Sequence, residues 1–320
     1  MATKPKSKRI ALLLDGDYLL FSAMSAAEEE VDWGDDIWSL QCDHNKARAI
    51  LRGTIRGITE RLKEFKGAEL VMVFSTANGN DNWRKQVLES YKANRKGKRK
   101  PVGYPELLKE LLNNEGDWGF YRTFQWQGLE GDDVIGILGT HPEYLDVDEA
   151  IPVSCDKDFN TIPGRFYWLT TNKIVENSLA EANRWHMYQA IKGDTTDGYG
   201  GIPGVGEQVD GTPLLEWLDN PTYFYQAVKT MKSGPRKGEE VPYWTSMPLS
   251  ELEGSTKEGG LPFTKWDCVV SLANKQGMTE DELIVQAQVA RILRKEDFCW
   301  ETMRPIPWLP KGRQRQVLPA

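Results

Sequence analysis

The chain has 320 residues, with 40 Lys and Arg against 47 Asp and Glu for a formal charge of −7. That length suits one large domain or two modest ones, and the composition is that of an ordinary soluble globular protein. The apolar run after the basic N-terminus, residues 10–14, is too short for a signal-peptide core or a membrane span, so a cytoplasmic protein is expected. Cys42, Cys155, Cys268 and Cys299 are far apart and form no CxxC pair, which fits packed, reduced thiols and offers no zinc spacing. His44, His141 and His186 form no ligand motif.

Residues 10–14 read as a buried strand, and residues 19–27 as the start of a helix. Residues 43–65 carry Ala47, Ile50, Leu51, Ile55, Ile58, Leu62 and Phe65 near helical spacing, which predicts a long amphipathic helix. A second strand is expected at 70–74, a helix at 104–112 and a third strand at 120–124. A helix over 134–138 is stopped by Gly139 and Pro142. Strands at 151–154 and 166–170 complete an alternation that implies a mostly parallel central sheet flanked by helices. From residue 179 the pattern changes. Helices are expected at 179–192, 214–218, 223–228, 266–275 and 280–294, the last opened by a capping box between Thr279 and Glu282. A Gly- and Pro-rich insertion covers 229–262, with a hairpin over 232–244, and residues 301–320 read as a flexible tail.

Four acidic clusters punctuate these elements: Asp15 and Asp17; Glu130, Asp132 and Asp133; Asp156 and Asp158; Asp194 and Asp197. Each alone fits a turn or a helix cap, Asp17 being a candidate N-cap. Several at the carboxyl ends of strands in one sheet converge on one place. There, two charges about 4 Å apart repel by roughly 4 kcal/mol at an effective dielectric near 20. Either several of these carboxylates are protonated or divalent ions neutralise them, and oxygen-only ligands select hard ions, Mg²⁺ or Mn²⁺. The pattern proposes a two-metal hydrolase.

Residues 84–100 oppose this with eight Lys or Arg and one acid, a local charge of +7 that leaves −14 for the rest. Such a segment, with Trp83 and Tyr91 interleaved, suits phosphate tracking and base stacking, although a solvated surface helix is the bland alternative. The run Gly201-Ile202-Pro203-Gly204-Val205-Gly206 lets backbone amides approach phosphate, as helix-hairpin-helix turns do for duplex DNA. A plain tight loop is its alternative.

Taken together, these motifs resemble the flap-endonuclease and 5′-exonuclease family, and within it the 5′→3′ exonucleases of short-tailed lytic phages. The resemblance covers residues 12–294. It implies an α/β nuclease core over 1–178 with a basic helical arch near 81–100, and a helix-hairpin-helix DNA-binding region over 179–300. Asp15, Glu130 and Asp132 would hold one ion and Asp156, Asp158 and Asp197 the other, with Asp133 and Asp194 as ligands or supports. Arg84, Lys92 and Arg95 match the arch motif that contacts the scissile phosphate, and Tyr91 would stack on the terminal base. Lys96, Lys98, Arg99, Lys100, Gly201, Gly204 and Gly206 would bind DNA, with K⁺ at the hairpin loop. The family's aspartate after the second strand has no clear counterpart here: Asp81 is the candidate, with Asn78 and Asn80 as substitutes. The implied activity is removal of nucleotides from 5′ ends of duplex DNA, and of RNA in RNA–DNA hybrids, by a monomer, with the balance between exonuclease and flap cutting open. A metal-dependent ribonuclease of similar core and an inactive duplex-DNA-binding relative are the rivals; the glycine run argues against the first and the acid set against the second.

Overall fold

In the computed structural model, residues 8–95, 97–113, 118–257 and 259–319 are described. Strand β1 (Ile10–Asp15) is buried along its whole length. A strand apolar on both faces belongs in the middle of a parallel sheet, and it lies there. The six-stranded sheet has the order β5-β4-β1-β6-β7-β8, built with β4 (Glu69–Phe74), β5 (Arg122–Gln125), β6 (Glu149–Ser154), β7 (Gly164–Trp168) and β8 (Lys173–Asn177). All neighbours run parallel except β8, which is antiparallel to β7 and which the sequence pattern did not reveal.

The side chains of β1 sort by the two-residue period of a strand. Leu12 and Leu14 join Met72, Phe74, Ile151 and Val153 under α1 (Gly16–Ser25), α2 (His44–Arg61) and α4 (Tyr104–Leu112). Ala11 and Leu13 join Val71, Val73 and Phe166 on the opposite face, under α5 (Gly131–Gly139). The result is an α/β/α sandwich. Asp15, rather than Asp17, is the N-cap of α1, accepting a hydrogen bond from the Tyr18 amide at 3.1 Å. Gly16 is required at this corner: a Cβ there would stand 2.6 Å from both the Val73 carbonyl oxygen and the Phe74 ring. Between α1 and α2 lies a hairpin, β2 (Glu28–Asp32) with β3 (Trp38–Cys42), absent from the sequence reading.

The basic stretch is mostly not helical. It holds the four-residue α3 (Arg84–Val87) and a single 3₁₀ turn, Ala93–Arg95, with Lys92 in the left-handed region at φ 54°. Lys96 lies outside the described residues.

Helix α6 (Leu179–Lys192) begins at the Ser178 cap and ends at Gly193. The glycine-rich run then leads to the small hairpin β9 (Gln208–Val209) and β10 (Thr212–Pro213), and only afterwards to α7 (Leu214–Trp217), so no helix directly follows the run. Residues 223–228, expected as a helix, belong to strand β11 (Thr222–Thr230), paired over nine residues with β12 (Glu240–Pro248). Their aromatic and β-branched residues favour a pleated surface. Helices α8 (Lys265–Lys275) and α9 (Glu280–Val289) follow, α9 with the Thr279–Glu282 capping box. The α9 helix stops five residues short of expectation because Ile292 and Leu293 leave it to pack with α5. No helix among the described residues is long and apolar enough to cross a membrane.

The expected flexible tail is instead docked. Short strands β13 (Phe298–Cys299) and β14 (Arg304–Pro305) pair, and Trp308 packs its ring against Trp266 and His186, each with centroids 5.2 Å apart. Asp297, fully buried, accepts from Arg291 Nε at 2.8 Å, the Arg294 amide at 3.0 Å and Arg315 Nη2 at 2.5 Å. Removing one partner of a buried ion pair leaves its charges uncompensated. Asp297→Ala should therefore cost about 3–5 kcal/mol in urea denaturation. A loss below about 1 kcal/mol would show that the tail is not anchored through this carboxylate.

Candidate active site

Because β1, β4 and β6 run parallel, their carboxyl ends share one edge, and the acidic clusters meet there. Asp15 ends β1, Glu130 and Asp132 begin α5, Asp156 and Asp158 follow β6, and Asp194 and Asp197 follow α6. With Arg84, Lys92, Arg95 and Lys157, the last six of these acids line a cleft of about 230 Å³. Six carboxylates face four cations, with Asp15 close enough to raise the Asp132 pKa.

The carboxylates fall into two groups. Those of the first are held by the chain's own cations. Lys92 Nζ pairs with Glu130 and stands 3.5 Å from Asp197, Arg95 Nη2 is 2.6 Å from Asp197, and Lys157 Nζ is 3.2 Å from Asp194. Burial works to raise Glu130, but the Lys92 and Arg84 charges outweigh it and hold its carboxyl at about 2. Opposing its own burial, the Thr196 amide and Lys157 lower Asp194.

Asp15, Asp132, Asp156 and Asp158 form the second group, for which the described residues supply no ion pair. Asp15 is pushed up to about 7 by burial and by the charges of Asp17 and Asp156, despite hydrogen bonds from the Tyr18 amide and the Ser154 hydroxyl. Burial and the Asp156 and Asp197 charges likewise push Asp158 up to about 7. Asp132 is raised by burial, then by Asp15 and Asp156, and no described residue gives it a hydrogen bond. Buried Asp15, half-buried Asp132 and Asp158 and exposed Asp156 crowd their oxygens together, an environment a hard divalent ion relieves, so these residues fit one. Among the described residues no three His, Cys, Asp or Glu side chains yet stand as a closed metal-holding group.

Several expected site residues have other work. Asp133 is fully buried: it accepts from both Arg84 Nη atoms at 2.6 and 2.8 Å, from Trp83 Nε1 at 3.0 Å and from the Leu293 amide at 3.1 Å. Its lone pairs are committed, so it is no metal ligand. Arg84 spends all five donors on Asp133, Glu130 and the carbonyls of Val289 and Arg291, which removes it from phosphate contact. Tyr91 is buried with its hydroxyl 2.9 Å from Glu130 Oε2 and 3.1 Å from Asp197 Oδ2, so its ring offers no face to a base. Asp81 is exposed, takes a hydrogen bond from Asn78 Nδ2 at 2.9 Å, and lines a separate cleft beside Trp126 and Met303. Ser75 follows β4 instead, donating its amide to Asp17 at 2.8 Å. Asp17 and Lys157, both inside the acidic motifs, were thus missed as supports that the motifs themselves displayed.

The DNA-contact candidates also divide. Arg99 is paired with Glu28 through both Nη atoms' reach of its carboxylate, Lys100 Nζ sits 4.4 Å from the Tyr104 ring centre, and Lys98 is exposed. Gly201 is buried and its amide donates to Gln286 Oε1 at 2.9 Å. A Cβ there would meet the Ile191 carbonyl oxygen at 2.3 Å, so this glycine serves chain crossing rather than phosphate. Gly204 and Gly206 remain exposed.

A family model described as 5′-3′ exonuclease, N-terminal resolvase-like domain, matches residues 10–183. The exodeoxyribonuclease of Enterobacteria phage T3 is 41% identical over 303 residues, covering 94% of this chain and 93% of its own. The exonuclease of Escherichia phage T7 is 40% identical over 301 residues, 93% of each chain. A crystal structure of the T5 D15 protein with metal ions aligns at 15% identity and TM-score 0.47 over 89% of this chain and 90% of that one. The chain belongs to the 5′–3′ exonuclease family.

The second group of carboxylates predicts a pH signature. Asp158 titrates near 7 in the fold against 3.8 for an ordinary aspartate. Between those values the folded state keeps a proton the unfolded state has lost, so stability falls as pH rises through that window. Asp158→Asn abolishes this penalty. In EDTA, its Tm relative to wild type should climb between about pH 4 and about pH 7 and then level off. A difference that does not change with pH would remove Asp158 from the buried, unneutralised set.

Proposed function

We infer that this nuclease hydrolyses phosphodiester bonds from the 5′ ends of duplex DNA, and of RNA paired to DNA, using Mg²⁺ or Mn²⁺ in the acidic cleft. The observation that carries this reading is that Asp132, Asp156 and Asp158, which have no ion-pair partner among the described residues, line one cleft with Lys92 and Arg95, with Asp15 beside it. The exonuclease names of the two phage relatives support it.

Asp15, Asp132 and Glu130 would hold one ion and Asp156, Asp158 and Asp197 the other, with Asp194 supporting. Bound there, the ions would supply an activated water and charge stabilisation for an in-line displacement. The protein's part is binding and orientation. Lys92 and Arg95 meet at Asp197, so both can turn to one phosphate that enters beside it. Tyr91 keeps its hydroxyl on Glu130 and orients that carboxylate as Lys92 leaves. The arch stays over the cleft because the Lys92 amide donates to the Asp197 carbonyl at 2.8 Å. Gly198, at φ 80°, permits this approach: a Cβ there would lie 3.0 Å from the Ser90 carbonyl oxygen. The exposed turn at residues 203–206 offers backbone to the duplex, and K⁺ would bind at the same turn. We read the chain as acting as a monomer.

A duplex labelled at one end decides the polarity. A 5′ label should be released first and EDTA should stop its release; a 3′ label released first would overturn the reading. On that substrate Lys92→Ala should lower the single-turnover rate at saturating DNA by roughly 10²–10³, as one lost transition-state donor does. Loss of affinity alone would put the scissile phosphate elsewhere.

A further inference from the structure

The β11–β12 ribbon is used by neither the cleft nor the core beyond its base. At about 3.4 Å per residue its nine-residue strands extend roughly 30 Å. Phe224 is buried at the base, where its amide donates to Ser271 Oγ at 2.9 Å and Lys275 Nζ lies 4.2 Å from its ring centre. Past that point Tyr225, Gln226 and Trp244 flank a cleft shared with Lys257 and Phe263, and most of the ribbon's described residues beyond it are exposed. A two-stranded sheet is marginal by itself in water, and this one shows Tyr225, Val228, Tyr243 and Trp244 to solvent.

Cross-strand partners share a face. Tyr225 opposite Thr245, Ala227 opposite Tyr243 and Lys229 opposite Val241 therefore form one side, with Lys229 Nζ 5.2 Å from the Tyr243 ring centre. The tip adds Lys232, Arg236 and Lys237 against Glu239 and Glu240, and Arg236 pairs with Glu239 at 2.6 Å. In a chain of charge −7, the tip's three cations outnumber its two acids by one, with the aromatic rings just below. The ribbon's base also adjoins the glycine-rich turn. A Cβ on Gly204 would stand 3.6 Å from Gln276 Oε1, next to the Lys275 that covers Phe224.

We propose that the β11–β12 ribbon is a second duplex-DNA contact. It follows the backbone away from the glycine-rich turn, with Tyr225 and Tyr243 against the duplex and the tip cations on phosphates. A two-stranded ribbon fits the major groove, and its length matches about nine base pairs at 3.4 Å each. The contact reads charge and shape rather than sequence. This rests on duplex DNA being the substrate of the cleft.

Binding of full-length protein to blunt duplexes of about 8 and about 30 base pairs, titrated with salt in EDTA, tests the proposal. Wild type should favour the long duplex. The triple variant Lys232→Ala, Arg236→Ala, Lys237→Ala changes only exposed side chains. It should bring the long-to-short affinity ratio down at least about tenfold and flatten the salt slope on the long duplex by about three units, one per lost phosphate contact. A variant with the wild-type ratio and slope would overturn the ribbon's role and leave the nuclease reading standing. Wild type that binds neither duplex would overturn both.

Discussion

Carboxylates gathered at the buried edge of a sheet are tolerated only when cations accompany them, and the cleft is organised around that constraint. The chain meets half of it internally. Arg84 is the fixed part: every donor is committed, and its guanidinium ties Asp133 and Glu130 to the carbonyls at the end of α9. Lys92, Arg95 and Lys157 pair with Glu130, Asp197 and Asp194 along the cleft wall. Asp15, Asp132, Asp156 and Asp158 receive no such partner among the described residues. The division separates carboxylates already paired within the chain from those with no such partner.

The fold supplies this convergence with little side-chain help. Parallel strands bring three turns to one edge, and close backbone approaches do the rest. Gly16 lets β1 turn into α1 against β4, while Gly193 and Gly201 cross within a distance that admits no Cβ. The α6 helix thus delivers Asp194 and Asp197 from outside the sheet, opposite the acids of β1 and β6. Distant segments then share one charge problem, which couples the arch to the helical region.

The acidic clusters and the parallel core were legible because both are local: a buried run followed by carboxylates describes a strand and what sits at its end. Partner choice was not. Asp132 and Asp133 are adjacent and chemically identical, yet one faces the cleft and the other is sealed behind Arg84, because successive helix positions point about 100° apart. Tyr91 and Arg84 carry motif identities that say nothing of burial. The strand at Thr222–Thr230 was misjudged because an amphipathic six-residue window fits either period until its partner strand is known. The docked tail was missed because Pro and Arg content describes composition, whereas Asp297, its anchor, lies outside the tail.

The most direct measurement is anomalous diffraction from crystals soaked in Mn²⁺. The account predicts density for ions in the cleft, with Asp132 oxygens roughly 2.0–2.6 Å from one and Asp156 and Asp158 oxygens at that distance from the other, as hard-cation sites require, and Lys92 drawn off Glu130. No ion in the cleft at saturating Mn²⁺, or an ion held by Asp81 or Asp133 instead, would contradict it.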